Sequence, residues 1–211
     1  MDAAAVQELT HAERRRLVGV LDRLTPEQWN ATSACPPWSV EDVVAHLSAA
    51  AATTTRAWIA SIVRARFDAD RHNDRLIARH RGATAPGTLE IFRGLVPSRI
   101  AAAGAHVAML GEVVVHGQDI ARPLGLELEP DPAAVLEVAR FYAAKDFAVN
   151  SRTLVRGLSL KADDAHFEAG SGPLVSGGLL ALTLAMAGRA DAAAELTGPG
   201  AEELRHRIEI A

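Results

Sequence analysis

The chain has 211 residues, of which 49% are apolar, 4% aromatic and 23% charged, with 42 alanines and a formal net charge of −4. This is the composition of a helix-rich globular protein, because alanine has the lowest helix cost, and it excludes a disordered or collagen-like chain. A single cysteine, Cys35, excludes internal disulfides and cysteine-rich zinc modules, and the lack of a basic stripe with interleaved aromatics argues against a nucleic-acid partner.

The opening Met1-Asp2-Ala3-Ala4-Ala5 has no basic segment followed by an apolar run, so no secretory leader is expected. A helix is expected over the first 24 residues, with Val6, Leu9, Leu17, Val20, Leu21 and Leu24 mostly on one face. Thr25-Pro26-Glu27-Gln28 reads as a short helix start or a turn. Cys35-Pro36-Pro37-Trp38 breaks the chain, and Ser39-Val40-Glu41-Asp42 is a capping box that opens a long helix expected over 40–67. A short helix is expected over 71–80 and another after Pro86-Gly87. A further helical stretch is expected over 98–120, closed by Arg122-Pro123-Leu124-Gly125. Asp131-Pro132 starts a helix expected to run to about Val149.

The pattern then changes. Leu158, Leu160 and Ala162 alternate with polar neighbours, and the turn Gly170-Ser171-Gly172-Pro173 precedes Leu174-Val175, which predicts a small hairpin or meander. Helices are expected again over 178–187, 190–196 and 202–208. The longest apolar run, Gly177 to Gly188, is about half of the ~20 residues that a membrane span needs, so the expectation is a cytoplasmic protein with no membrane partner. The predicted organisation is mainly α: a helical body over 1–150 and a small α/β domain over 151–211.

The segment richest in chemistry is Glu112-Val113-Val114-Val115-His116. Residues four apart on a helix share a face about 6 Å apart, so a carboxylate and an imidazole stand side by side in apolar surroundings. Such a pair can ligate a divalent metal. His46, within Val43-Val44-Ala45-His46-Leu47, is the best third ligand; three protein ligands leave a position open to water or substrate. Spacing alone leaves other readings open. Glu112 and His116 could simply hydrogen-bond to each other and to His46, and a lone histidine in an apolar helix is often a satisfied core residue.

Two stretches carry a resemblance to a family. The segment from Cys35-Pro36-Pro37-Trp38 through Val43-Val44-Ala45-His46-Leu47 resembles the first motif of the mycothiol-dependent maleylpyruvate isomerase family. The segment from Glu112 through His116-Gly117-Gln118-Asp119 to Leu124-Gly125 resembles its second. Three tail segments are similar to the small C-terminal domain often attached to such proteins: Gly172-Pro173-Leu174-Val175, Leu184-Ala185-Met186-Ala187-Gly188-Arg189 and Leu196-Thr197-Gly198-Pro199-Gly200.

The resemblance implies a DinB-like four-helix bundle followed by a small α/β C-terminal domain. It implies His46, Glu112 and His116 as ligands of a divalent metal, usually zinc, with mycothiol or another low-molecular-weight thiol as cosubstrate. It thus implies an isomerase of the maleylpyruvate isomerase type or a thiol S-transferase, acting on a small molecule through a metal-activated thiolate. A non-enzymatic metal- or small-ligand-binding module is the alternative. Asp119, three residues after His116, could orient that ligand from behind or cap the helix. The reactive sulfur is expected from the cosubstrate and not from Cys35. Arg122 and Arg189 are as well explained as helix-end cations, so no catalytic arginine is assigned. Trp38, Trp58 and Phe92 are expected pocket walls. His11, His72, His80 and His206, among charged residues, are expected on the solvated surface. Composition leaves monomer and homodimer equally open.

Overall fold

Most helix starts fall where a side chain can satisfy an orphan backbone amide. In the computed structural model, which describes residues 1–147 and 149–210, α1 (Ala3–Leu21) is capped by Asp2 and α2 (Pro26–Trp29) by Thr25. The caps of α3 (Val40–Ala52) and α4 (Thr55–Arg64) are Ser39 and Thr54, and those of α5 (Ala69–His80) and α6 (Ala85–Gly94) are Asp68 and Thr84. Each such cap stabilises by about 1 kcal/mol. Ser39 and Asp42 satisfy each other's backbone amides reciprocally, as the sequence predicts.

The chain divides into two units, residues 1–130 and 131–211. The first is a helical bundle in which α3 packs on α5, α6 and α7 (His106–Ala121), and α1 packs on α6 and α7. Its core joins Leu17 and Leu21 of α1, Val40, Val43, Val44 and Leu47 of α3, Phe92 of α6, and Val113 and Ile120 of α7. No helix among the described residues is long and apolar enough to cross a membrane.

Three expected helices are shorter than their sequence pattern, one of them the helix expected to reach about Val149, which ends at Ala144. The helix expected over 40–67 breaks at Thr53-Thr54, where Thr53 is extended and Thr54 turns its hydroxyl onto the amide of Ala57. A β-branched hydroxyl side chain that can cap competes with continuing the helix. The helix expected over 98–120 starts at His106, after a single turn of tighter helix at Ala102–Gly104. Ser98 is held by side chains instead: its carbonyl accepts from Arg14 Nη1 at 2.8 Å, and its hydroxyl donates to the carbonyl of Ala51 at 2.6 Å. Arg14 is buried, and burial lowers its pKa to about 10. His11, expected at the surface, is also buried, with its Nε2 3.2 Å from the carbonyl oxygen of Ser98.

The second unit begins with α8 (Pro132–Ala144). The sequence places the boundary at 150, but α8 packs on α10 (Leu179–Met186), so it belongs with the tail. After α9 (Ser151–Leu154) come β1 (Ser159–Ala162), β2 (Glu168–Gly170) and β3 (Leu174–Gly177) in sheet order β2-β1-β3. The expected hairpin exists between β1 and β2. A meander does not, because β3 crosses the start of β1 and pairs with it in parallel, placing Ser159 opposite both Gly170 and Leu174. Gly170 (φ 76°) and Gly172 (φ 132°) permit this crossing; a Cβ on either would lie 2.2 Å and 2.0 Å from the carbonyl oxygens of Leu158 and Gly157. The almost wholly apolar α10 covers β1 and β3, and α11 (Ala190–Ala194) and α12 (Ala201–Glu209) complete the unit.

Candidate metal centre

Helix α7 is buried along most of its length, from Ala108 to Ala121. It therefore presents Glu112 and His116 to the inside of the bundle, where α3 packs against it and brings His46. His46 Nε2 lies 2.9 Å from Glu112 Oε2, and His116 Nε2 lies 3.3 Å from the same oxygen. Ligand atoms of the three residues all fall within 4.8 Å of one another. Donors around a tetrahedral zinc, at bonds of about 2.0–2.1 Å, sit roughly 3.3 Å apart, so a small divalent ion fits with minor adjustment. Side-chain exposures of 15%, 17% and 11% for His46, Glu112 and His116 leave a narrow opening to solvent.

The supporting residues fix this geometry. Asp119 Oδ2 accepts from His116 Nδ1 at 2.8 Å and is 1% exposed. That hydrogen bond holds a proton on Nδ1 and points Nε2 at the cluster, where it donates to Glu112 or, once that proton is displaced, offers its lone pair to a metal. Trp38 lies over both rings, with centroids 4.9 Å from His46 and 6.2 Å from His116. The loop carrying Trp38 is tied down at both ends, by Ala34 N–H donating to the carbonyl of Asp119 and by Ser33 N–H donating to that of Trp38.

The charges match a cation site. Burial pushes the Glu112 carboxyl up, but hydrogen bonds from His116 and His46 outweigh it and hold the group well below the usual carboxylate range. Burial pushes His116 down, yet hydrogen bonds to Asp119 and Glu112 raise it from 6.5 to about 9. A buried carboxylate that stays ionised demands a cation nearby, here protons on the histidines or a metal in their place.

Not every expectation survives. Phe92 is no pocket wall: it is fully buried in the core between α1, α3 and α7. Trp58 stands 39% exposed on α4, edge-on to His72. His72 is 5% exposed, not solvated. Cys35 offers its sulfur within 4.8 Å of His116 and Asp119, a proximity the sequence does not signal. Because Asp119 occupies Nδ1 of His116, the set on the Nε2 side, with His46 and Glu112, is the one poised for a metal.

Asp119→Asn removes the charge behind His116 while keeping its shape. The expected outcome is a metal affinity about 10–100-fold weaker, read by competition with a chromogenic chelator. An unchanged affinity would make Asp119 a helix-end residue only.

Residues 10–108 match the family model described as the mycothiol maleylpyruvate isomerase N-terminal domain. The match includes His46 and ends before Glu112, His116 and Asp119. No curated protein matches the sequence. Two solved structures share the fold: a crystal structure of the mycothiol-dependent maleylpyruvate isomerase (TM-score 0.67, 14% identity) and one of a histidine-to-alanine mutant of the mycothiol-dependent maleylpyruvate isomerase (TM-score 0.68, 13% identity). Each comparison covers 95% of this chain and 94% of the other. The stretch of 10–108, within the N-terminal unit, is thus similar to the mycothiol maleylpyruvate isomerase N-terminal domain, and the whole chain shares the fold of the two isomerase structures.

Proposed function

We propose that this protein is a metal- and thiol-dependent enzyme of the maleylpyruvate isomerase type, with His46, Glu112 and His116 holding one divalent ion, zinc by the chemistry of the donor set. The observation that carries this reading is the convergence of two imidazole nitrogens on one half-buried carboxylate oxygen, at 2.9 and 3.3 Å. Two nitrogens and one carboxylate oxygen match the catalytic zinc sites that keep a position for water or substrate. The family match and the shared fold support mycothiol as the thiol and a small molecule as the substrate.

When bound, the ion supplies Lewis acidity that turns a thiol into a thiolate at neutral pH. The chain's own residues do the rest. Asp119 fixes the ring of His116 and its tautomer, so that no reorganisation is needed during reaction. Trp38 covers one side of the two imidazoles and limits the water that reaches them. The flanking Val113 and Val114 are buried, so the helix around Glu112 is largely removed from water, which strengthens its hold on a cation. The thiolate so generated suits reversible addition to an electron-poor double bond, the chemistry of cis–trans isomerisation; the same nucleophile serves thiol S-transfer.

The test is turnover of maleylpyruvate by the zinc-loaded protein with mycothiol present, absent, or replaced by glutathione. Mycothiol-dependent isomerisation supports the isomerase reading. Consumption of thiol and an electrophilic substrate in equal amounts points to the transferase. Stoichiometric metal without thiol-dependent turnover of either kind overturns the enzyme reading and leaves a metal-binding module.

A further inference from the structure

Away from the metal centre, helices α4 and α5 enclose a cavity of about 390 Å³ against the end of α3, with Thr53, Ser61, Arg64, Arg75, Arg79 and His80 among its lining residues. None of the candidate metal ligands lines it. Arg16, Arg81 and Arg93 each pair with a carboxylate, whereas Arg64, Arg75 and Arg79 have none among the described residues. What sets these three arginines apart is that they share one cavity; Arg15, Arg23, Arg56 and Arg66 of the same unit also have no carboxylate partner among the described residues. Three guanidinium groups without carboxylate partners around one concavity give it a positive potential that attracts an anion. Their planar forks suit bidentate oxyanions. The cavity is of the size that takes small molecules.

A second observation lies on the same seam. His72 sits one turn before Arg75 and Leu76, on the same face of α5. It is 5% exposed, yet its Nδ1 has no hydrogen-bond partner. Trp58 of α4 covers the ring edge-on at 6.3 Å. A buried polar atom without a partner costs free energy that natural proteins rarely leave unrecovered. His72 does not itself line the cavity; Arg75 of the cavity and His46 of α3 are the charged groups that act on it.

We propose that the α4–α5 groove is a binding site for a small polyanion carrying two or more oxyanion groups, gripped by Arg64, Arg75 and Arg79. The site is separate from the metal centre, so its occupancy does not require the thiol chemistry. Carboxylates and phosphates share the recognising chemistry, and binding experiments separate them.

The experiment titrates the metal-loaded protein calorimetrically with tricarballylate and, in a second arm, with inorganic phosphate, measuring metal content before and after. Saturable binding of either probe is expected with metal content unchanged, and the better probe names the oxyanion class. The double variant Arg75→Ala/Arg79→Ala is expected to bind at least about tenfold more weakly. Both side chains are exposed and unpaired, so the variant should fold, which its melting temperature checks. A control pair, Arg15→Ala/Arg23→Ala, changes net charge equally and should leave binding as it was. The proposal falls if neither probe saturates below about 10 mM, weaker than a millimolar ligand, or if the control pair weakens binding as much as the test pair.

Discussion

Replacing Glu112 by glutamine is expected to empty the proposed metal centre. Glutamine keeps the volume and one acceptor oxygen but removes the charge that both imidazoles face at 2.9 and 3.3 Å. A residue that merely supports a ligand contributes 10–100-fold to affinity, so loss of a direct anionic ligand should exceed about 100-fold. Metal content after dialysis should fall from near one ion per chain to a small fraction of that, as read by elemental analysis. Mutating His116 to alanine should do the same, because its Nε2 is the other donor on α7. Structural disruption is separable from ligand loss. If either variant melts as the metal-free wild type does yet binds no ion, the residue is a ligand. If Glu112→Gln keeps a full complement of metal at wild-type affinity, the three side chains are a hydrogen-bonded trio and the thiolate chemistry has no support.

The parts of this site that were legible in the sequence are those fixed by local geometry. Glu112 and His116 are four apart in an unbroken helix, and Asp119 is three beyond, so one helix places all three whatever surrounds it. Ser39 and Asp42 announce the start of α3, which sets the phase at which His46 emerges. What was not legible depends on packing between elements distant in sequence. Nothing local distinguishes Thr53-Thr54 as a break from a threonine pair within a helix, yet that break makes α4 a separate helix and the α4–α5 cavity a possibility. His72 stands among charged neighbours and reads as solvated; the packing of α5 on α3, with Trp58 edge-on to the ring, is what sequence does not show. The parallel β1–β3 pairing was hidden for a related reason: a glycine turn between two short strands usually signals a hairpin, and the crossing rests on where two carbonyl oxygens approach Gly170 and Gly172.

Phe92 shows the same limit from the other side, and its substitution carries the largest expected effect on stability. An aromatic in a region with a weak pattern reads as readily as a ligand-contacting wall as a core residue. The structure buries it completely, in one cluster with Leu17, Leu21, Val44, Leu47 and Val113. Phe92→Ala removes most of the ring's contacts and leaves a cavity that the rigid helices can only partly close, for an expected loss of about 3–5 kcal/mol. Phe92→Leu, which keeps most of the volume, should lose much less. Denaturant unfolding of the metal-free protein checks both values. The metal-loaded protein supplies the discriminating comparison. A core residue lowers stability by the same amount with or without the ion, since it touches no ligand. A pocket residue would leave stability nearly unchanged and act on substrate affinity instead. A loss below about 1 kcal/mol for Phe92→Ala would contradict its burial at the centre of the bundle, because a truncation that small is the mark of a surface position.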